Sequence, residues 1–184
     1  MPGVVAAGHP ESAEAGAAVL RAGGNAVDAA VGAVLASFAV ESPLTGLGAG
    51  GYMTVHDGGE TMVLDFFVVA LGLGGAPRTA ELAPVDVVFD AETTQTFYVG
   101  PVSCGVPGTP AGLVEALRRF GSLPLAELVK PAIRLARDGS PVNHEQAYIL
   151  DILAPIHDRL PGTRGLCAPD GRTLREVETF RFPV

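Results

Sequence analysis

Apolar residues recur at helical spacing near the start of the chain. Their intervals of three and four residues predict a helix over residues 11–22, which a Gly-Gly pair ends. Asn25 is then predicted to cap a second helix, from residue 26 to about residue 40. This second segment is apolar on nearly every face, which is typical of a helix in the middle of a larger protein.

Beyond a glycine-rich stretch, the pattern changes to short apolar runs that predict strands. Residues 52–56 and 61–66 are two such runs, and Asp57-Gly58-Gly59 between them predicts a hairpin turn, because glycine accepts positive φ. Three other short runs are also predicted to be strands: residues 4–7, 85–90 and 96–99.

Helical periodicity returns in the second half of the chain. Thr109 is predicted to be the N-cap of a helix that carries an apolar stripe. A second helical stretch is predicted over residues 124–137, with an interruption or kink at Pro131. A third is predicted from about residue 143 to residue 160, with a bend at Pro155.

The order of these elements predicts the fold class. Helices followed by a hairpin sheet and then by more helices indicate an α+β or layered α/β architecture. The tail over residues 161–184 is rich in turn-forming residues, so neither a complete helix nor a complete strand is predicted there. The predicted helices and strands are apolar enough to need packing partners that the chain does not supply.

Composition and charge narrow the possible partners. The chain has 184 residues, of which 48% are hydrophobic and 17% charged, so it can bury a sizeable core. The net charge is −8 and the twelve basic residues are scattered, which is a poor match for a phosphate backbone, so no nucleic-acid partner is predicted. The longest apolar stretch, residues 26–40, is shorter than the roughly 20 residues that span a bilayer. No signal peptide is visible, so a cytoplasmic protein without a membrane partner is expected.

Cysteine and histidine show no pattern of metal ligands. Cys104 and Cys167 are far apart and have no second ligand pair beside them, so no zinc site is predicted; a disulfide is possible but nothing requires it. The four histidines are dispersed along the chain and are interpreted as surface or capping residues. The sequence therefore predicts no metal and no cofactor.

The glycine run after the second helix contains a G-x-G-x-x-G match at Gly46, Gly48 and Gly51. A dinucleotide-binding site needs a strand before this motif and a helix after it, so that the pyrophosphate meets a helix N-terminus. The predicted order here is the reverse. A nucleotide-binding oxidoreductase is therefore disfavoured, and the run is interpreted as a close backbone turn or as a place where backbone amides approach a substrate.

Candidate nucleophiles are not assembled into a site by the sequence. No serine lies in a G-x-S-x-G elbow. Thr93 and Thr94 are interpreted as ordinary threonines at a strand edge, although threonine can act as a nucleophile. Asp65 stands among apolar residues at the end of a predicted strand, where a hydrogen-bonded structural role is favoured.

Several segments together resemble the gamma-glutamyltransferase (gamma-glutamyltranspeptidase) family in order and spacing. The R-A-G-G-N-A-V-D-A-A run at residues 21–30 is very specific, and the resemblance covers nearly the whole chain. The segments that carry it are residues 3–10, 20–30, 46–53, 64–66, 105–109 and 130–139.

The resemblance implies an N-terminal-nucleophile hydrolase with a four-layer αββα sandwich. Members of the family cleave themselves into a large and a small subunit. A threonine at the start of the small subunit then attacks the gamma-glutamyl amide of glutathione and related substrates, with its own free amine as the base. The acyl group passes to water or to an amino acid.

The family's threonine falls beyond residue 184, so the resemblance implies that residues 1–184 are the N-terminal part of a large subunit. The expected domain is a partial αββα sandwich, incomplete at its C-terminus, which lacks a catalytic residue and whose partner is a missing small subunit. Two alternatives stay open. The chain could be a non-catalytic half-domain that pairs with a separate catalytic half, or part of a related acylase or amidase with a different acyl group.

Phe67 is the expected substrate-binding residue, and it departs from the family pattern. Typical members carry an arginine after the Asp-Phe pair, and its guanidinium grips the α-carboxylate of the glutamyl group with two parallel hydrogen bonds. Here Phe67 occupies that position, and the nearest downstream arginine is Arg78. Because an aromatic ring cannot pair with a carboxylate, a different acyl preference is expected, unless a residue outside residues 1–184 supplies the charge.

Overall fold

The computed structural model describes residues 3–72, 75 and 80–182. In this part of the chain the helices are α1 (Pro10–Arg21), α2 (Ala26–Val40), α3 (Thr109–Phe120), α4 (Leu125–Leu128), α5 (Lys130–Asp138), α6 (His144–Ile152), α7 (Ala154–His157) and α8 (Pro161–Cys167). The strands are β1 (Tyr52–Asp57), β2 (Glu60–Asp65), β3 (Val69–Ala70), β4 (Ala83–Val88), β5 (Thr94–Val99), β6 (Gly105–Val106), β7 (Ser140–Pro141) and β8 (Thr179–Phe180). The mixture of helices and antiparallel strand pairs confirms the predicted α+β content.

The chain divides into two compact units. Unit 1 comprises residues 3–69 and 107–140, and unit 2 comprises residues 70–106 and 141–182, each within the described residues. In these residues no helix is both long enough and apolar enough to cross a membrane.

Helix α2 forms the centre of unit 1, so much of its apolar surface is covered by other helices of the same chain. Val31 and Ala36 are fully buried, and α1, α3 and α5 all pack against this helix. The helix begins with the predicted cap: the side chain of Asn25 accepts hydrogen bonds from the backbone nitrogens of Val27 and Asp28, and Asp28 reciprocates by accepting from the backbone nitrogen of Asn25.

The predicted hairpin is present in unit 1 and is antiparallel. Its register runs from Tyr52 opposite Asp65 to Asp57 opposite Glu60, and Gly58 makes the turn with a φ of 62°. Val55 faces the hydrophobic core, whereas the side chains on the opposite face are exposed. The sheet therefore has one packed face and one open face among the described residues.

Unit 2 has its own strand pair and its own core. Strands β4 and β5 are antiparallel, with Ala83 opposite Val99, and Val85 and Val87 are buried. A separate hydrophobic cluster is formed by Val142, Leu150, Cys167, Leu174 and Phe180.

Three predicted features are wrong. Residues 4–7 form no strand, because no neighbouring strand pairs with them in the described chain, and Val4 is 96% exposed. Thr109 is the first residue of α3 and not its cap; Gly108 occupies the N-cap position without a side-chain hydrogen bond. The tail contains α8 and β8. Their buried residues pack against residues distant in the sequence, and the tail itself shows no hydrophobic periodicity that would predict them.

The predicted breaks in the later helices exist but lie earlier than the prolines. The first falls at Val129, two residues before Pro131. The second falls at Leu153, two residues before Pro155. In each case the proline occupies the first turn of the following helix, where its missing N–H costs nothing.

Candidate functional site

Three of the motif segments meet at the end of β2 in unit 1. The backbone nitrogen of Phe66 donates to the carbonyl of Gly51 at 3.0 Å, and the nitrogen of Gly51 donates back to the carbonyl of Phe66 at 3.3 Å. The nitrogen of Thr109 donates to the carbonyl of Ala49 at 3.1 Å. The glycine run, the Asp-Phe segment and the start of α3 thus form one structure, although the sequence separates them widely.

Two glycines are required by the close approach of these backbones. A Cβ atom at Gly50 would lie 2.4 Å from the backbone nitrogen of Val68. A Cβ atom at Gly108 would lie 2.1 Å from the carbonyl oxygen of Phe66. No side chain fits at either position without moving the backbone, so glycine fixes the path of residues 66–68 from both sides. Within the glycine run, Gly50 makes this close approach, whereas a Cβ atom at Gly46 or Gly48 would meet nothing within 4 Å.

Asp65 has the structural role predicted for it. Its Oδ1 accepts a hydrogen bond from the backbone nitrogen of Phe67 at 3.0 Å, which holds the chain immediately after β2. The carboxylate is therefore engaged with the backbone that carries Phe67.

The ring of Phe67 lies at the surface of unit 1 and stacks on the ring of Tyr52. The ring centroids are 5.5 Å apart and the planes are inclined by 10°. Phe67 is 52% exposed and Tyr52 is 62% exposed. An offset, nearly parallel pair of this kind is a favourable aromatic arrangement. We call these two residues the aromatic pair.

Tyr52 was not singled out by the sequence, although its position could have been. Tyr52 lies directly opposite Asp65 in the hairpin. Phe67 follows two residues later, so it is the diagonal neighbour of Tyr52 on the same face, within reach of an aromatic side chain. The signal was a hairpin register that places two aromatic residues on one diagonal.

The aromatic pair offers apolar ring faces and no fork of N–H donors. The segment from Leu64 to Val68 contains no arginine, and Arg78 lies outside the described residues. The position can hold a flat or apolar group by stacking and burial, but it cannot form the two parallel hydrogen bonds that a carboxylate receives from arginine.

The threonines that sequence reasoning considered lie in unit 2. Thr93 is in the turn between β4 and β5, where its backbone nitrogen donates to Oδ1 of Asp90 at 2.7 Å. Thr94 is the first residue of β5 and is exposed. Both are local turn and strand residues, as interpreted from the sequence.

A buried serine–carboxylate pair in unit 1 is also unsuited to nucleophilic catalysis. The hydroxyl of Ser12 donates to Oε2 of Glu41 at 2.8 Å, but the residue is completely buried. The nearby His9 is engaged as the N-cap of α1, where its Nδ1 accepts from the nitrogen of Glu11 at 3.2 Å. The serine therefore lacks both access to a substrate and a histidine base.

The other histidines and the cysteines form no centre in the part of the chain that the structure describes. His56 is hydrogen-bonded to Thr61 at 3.0 Å, and His144 lies 3.5 Å from Glu176. Burial lowers the pKa of His157, whose Nε2 is buried without a partner among the described atoms. Both cysteines are unpaired, and within residues 3–72, 75 and 80–182 no group of three His, Cys, Asp or Glu side chains is placed to hold a metal ion.

Comparison with known proteins gives consistent matches over nearly the entire chain. The chain is 32% identical to a glutathione hydrolase proenzyme of Bacillus subtilis over 190 residues, covering 97% of this chain and 30% of that protein. It is 35% identical to the acylase ACY 1 proenzyme of a Pseudomonas species over 175 residues, covering 94% of this chain and 31% of that protein. The chain therefore spans about 30% of the length of the curated relatives it matches.

Among solved structures, the gamma-glutamyltranspeptidase of Helicobacter pylori superposes with a TM-score of 0.82 at 28% identity, over 98% of this chain and 50% of that one. This match confirms the expected fold class, that of the N-terminal-nucleophile hydrolases. The family model for gamma-glutamyltranspeptidases matches residues 12–184. These matches agree with the motif segments that meet at Phe66, and the chain belongs to the gamma-glutamyltranspeptidase family.

Proposed function

We propose that the protein containing these 184 residues cleaves amide bonds by acyl transfer, with a threonine nucleophile that lies outside residues 1–184. The single observation that carries this proposal is membership of the family, whose curated relatives include proteins named as glutathione hydrolases and as an acylase. The candidate nucleophiles of the described residues support it indirectly, since Ser12 is buried and hydrogen-bonded to Glu41, and Thr93 and Thr94 are turn and strand residues of unit 2.

The proposed chemistry needs two steps. The threonine Oγ attacks the amide carbonyl while its own α-amine accepts the hydroxyl proton, and the C–N bond breaks as that proton passes to the departing amine. Water, or the amine of an acceptor, then attacks the ester, which releases the acyl group and restores the threonine. Residues 1–184 would contribute binding surface to this reaction and no covalent step.

Phe67 is proposed to face the acyl group of the substrate. The family resemblance assigns this position to carboxylate recognition, and a neutral ring cannot supply the charge-assisted hydrogen bonds of a guanidinium. The complete protein would therefore favour an acyl group other than gamma-glutamyl. The similarity to a protein named as an acylase supports this reading.

Hydrolysis of acyl p-nitroanilides tests the proposal. The product of the complete reading frame is expected to release p-nitroaniline, whereas the 184-residue chain by itself is expected to be inactive. Thr94→Ala is a suitable control variant, because Thr94 lies on β5 in unit 2 and should leave the activity unchanged. Hydrolysis by the 184-residue chain alone would contradict the placement of the nucleophile.

A second candidate function is a non-catalytic half-domain that assembles with a separately encoded catalytic half. The specific observation in its favour is the open face of the β1–β2 hairpin, where Tyr52 and Val63 are exposed apolar residues. Under this proposal residues 1–184 are one incomplete part of a larger domain. Co-expression with candidate catalytic halves and co-purification of a stable complex would favour it over a single longer chain.

A further inference from the structure

We propose that the aromatic pair, Tyr52 and Phe67, is the contact surface for a flat, uncharged aromatic acyl group. This inference rests on the proposed amide cleavage, since it specifies the acyl group that the complete enzyme would accept. It makes Tyr52 a second specificity-determining residue beside Phe67.

The geometry of the two rings suits a planar ligand. They are inclined by 10° with centroids 5.5 Å apart, and each is more than half exposed. A third ring can therefore extend the stack or pack edge-on against it, and both arrangements are favourable for aromatic groups. An aliphatic acyl chain of similar size would gain burial but not the additional stacking.

The aromatic pair is also held in position before any ligand arrives. Tyr52 is carried by β1, and Phe67 is fixed by the hydrogen bond from its backbone nitrogen to Asp65. Gly50 lies against the backbone of Phe67 and Val68 so closely that no side chain fits there. Because these groups are already ordered, little conformational freedom is lost when a ligand binds.

The surrounding charge disfavours an anionic acyl group. Residues 46–68 contain neither lysine nor arginine, and Asp65 lies directly opposite Tyr52 in the hairpin, whereas Asp57 and Glu60 lie at its far end. A ligand carboxylate placed at Phe67 would meet the carboxylate of Asp65, which accepts a hydrogen bond from the nitrogen of Phe67 itself. A neutral aromatic acyl group meets no such repulsion.

Ligand binding to the complete protein provides a test whose readout does not depend on activity. Phenylacetamide is the probe, isobutyramide is the neutral aliphatic comparison, and L-glutamine represents the gamma-glutamyl amide. We expect saturable NMR shifts of the Tyr52 and Phe67 ring protons with phenylacetamide only. Tyr52→Leu and Phe67→Leu should each abolish the shift of the remaining ring. Tyr98→Leu, at an equally exposed tyrosine (62%) on β5, should leave the shifts unchanged.

Kinetics of the complete protein separate this inference from the proposed function. Phenylacetyl, butyryl and gamma-glutamyl p-nitroanilides share one leaving group, so differences in kcat/KM report on the acyl group. We expect phenylacetyl to be preferred, and the preference over butyryl to fall about two- to tenfold in Tyr52→Leu and in Phe67→Leu. Phe67→Arg should shift the preference toward gamma-glutamyl.

The outcomes are distinct. Ring shifts without hydrolysis of any anilide would end the proposed function but support the aromatic contact surface. Hydrolysis with gamma-glutamyl preferred by the wild-type protein would overturn the inference and leave the proposed function standing. Absence of ring shifts with phenylacetamide would also overturn the inference, because the rings would then serve only to pack against other parts of the protein.

Discussion

Units 1 and 2 each contain a carboxylate that accepts several hydrogen bonds, but they place it in opposite surroundings. In unit 1, Asp28 is completely buried and accepts from the hydroxyl of Ser122 at 2.5 Å and from the nitrogens of Ser122 and Leu123 at 3.0 and 3.2 Å. It also accepts from the nitrogen of Asn25 at 2.9 Å. One side chain thus joins the start of α2 to the loop after α3.

In unit 2, the corresponding carboxylate is at the surface. Glu178 accepts from both terminal nitrogens of Arg172, at 2.8 and 2.5 Å, and from the backbone nitrogen of Arg175 at 2.8 Å. The side chains of Arg172 and Glu178 remain 47% and 32% exposed. This network closes the turn that precedes β8.

The difference shows that the number of hydrogen bonds a carboxylate accepts does not by itself decide how much it stabilises the fold. Burial by itself raises the pKa of Asp28, but the hydrogen bonds from Ser122, Asn25 and Leu123 outweigh it and hold the pKa below its ordinary value. The hydrogen bonds from Arg172 and then Arg175 hold the pKa of Glu178 at about 2, yet water and salt screen that partly exposed carboxylate. We therefore expect unit 1 to depend far more on its carboxylate than unit 2 does.

Asp28→Asn is expected to have the largest effect. The amide would place its own N–H group among donors that need an acceptor, leaving buried groups unsatisfied. We expect the free energy of unfolding to fall by about 3 kcal/mol. Urea denaturation measures it, with Asp57→Asn, at the exposed end of β1, as a control that changes little. Equal losses in Asp28→Asn and Asp57→Asn would show that the buried carboxylate contributes no more stability than one at the surface.

Gly112→Ala should have the next largest effect on stability. In unit 1 a Cβ atom at Gly112 would lie 2.1 Å from Cγ of Phe66, so the ring must move. We expect a loss of about 2 kcal/mol, because overpacking exceeds the gain in helix propensity. Gly162→Ala in α8 of unit 2 is the matched control, since nothing lies within 4 Å of its added atom. Thermal unfolding of both variants measures the effect, and Gly162→Ala should be neutral or slightly stabilised. An unchanged stability of Gly112→Ala would mean that the ring of Phe66 does not pack against Gly112.

Val177→Gly is expected to stabilise the protein. Val177 lies in the turn of unit 2 with a φ of 65°, a left-handed conformation that is strained for a β-branched residue, and it is 80% exposed. Relief of the strain should raise the free energy of unfolding by about 1 kcal/mol, as measured by urea denaturation. Val63→Gly, at an exposed valine in β2, should instead destabilise. Similar losses for both variants would show that the turn is not strained.

The smallest effect is expected for Glu178→Gln, and the pH dependence of stability sharpens the comparison. Because both carboxylates have lowered pKa values in the folded protein, each contributes stability above its unfolded pKa that is lost as the pH falls through the folded pKa. The free energy of unfolding should therefore fall below about pH 4. We expect urea denaturation between pH 3 and 7 to show that the free energy of unfolding falls less steeply with decreasing pH in Asp28→Asn than in the wild-type protein. In Glu178→Gln its dependence on pH should be almost the same as in the wild-type protein. A larger change in the pH dependence for Glu178→Gln than for Asp28→Asn would show that the surface carboxylate contributes more to stability than the buried one.

Much of unit 1 could be predicted because its signals are local. The cap at Asn25, the apolar α2 and the turn at Gly58 each depend on residues close together in the sequence. In unit 2, α8 and β8 were missed because Cys167, Leu174 and Phe180 become buried only through contacts with distant residues such as Leu150. Residues 4–7 show the converse, since an apolar run without a neighbouring strand does not form one.

The candidate site was predictable in its residue types but not in its assembly. Phe67 could be singled out because it departs from the family pattern, and Asp65 because it is polar at a strand end. Its stacking on Tyr52 follows from the register of the hairpin, in which Phe67 lies diagonally across from Tyr52, and neither strand shows that pairing by itself. The convergence of Gly50 and Gly108 on one backbone segment is a long-range contact without a local signal.

The most direct test of the central claim is intact-mass analysis and N-terminal sequencing of the protein made from the complete reading frame. The account predicts two polypeptides, the first containing residues 1–184 and the second beginning with threonine, and amidase activity only in their complex. A single uncleaved chain with amidase activity would contradict it, as would activity in the 184-residue chain alone.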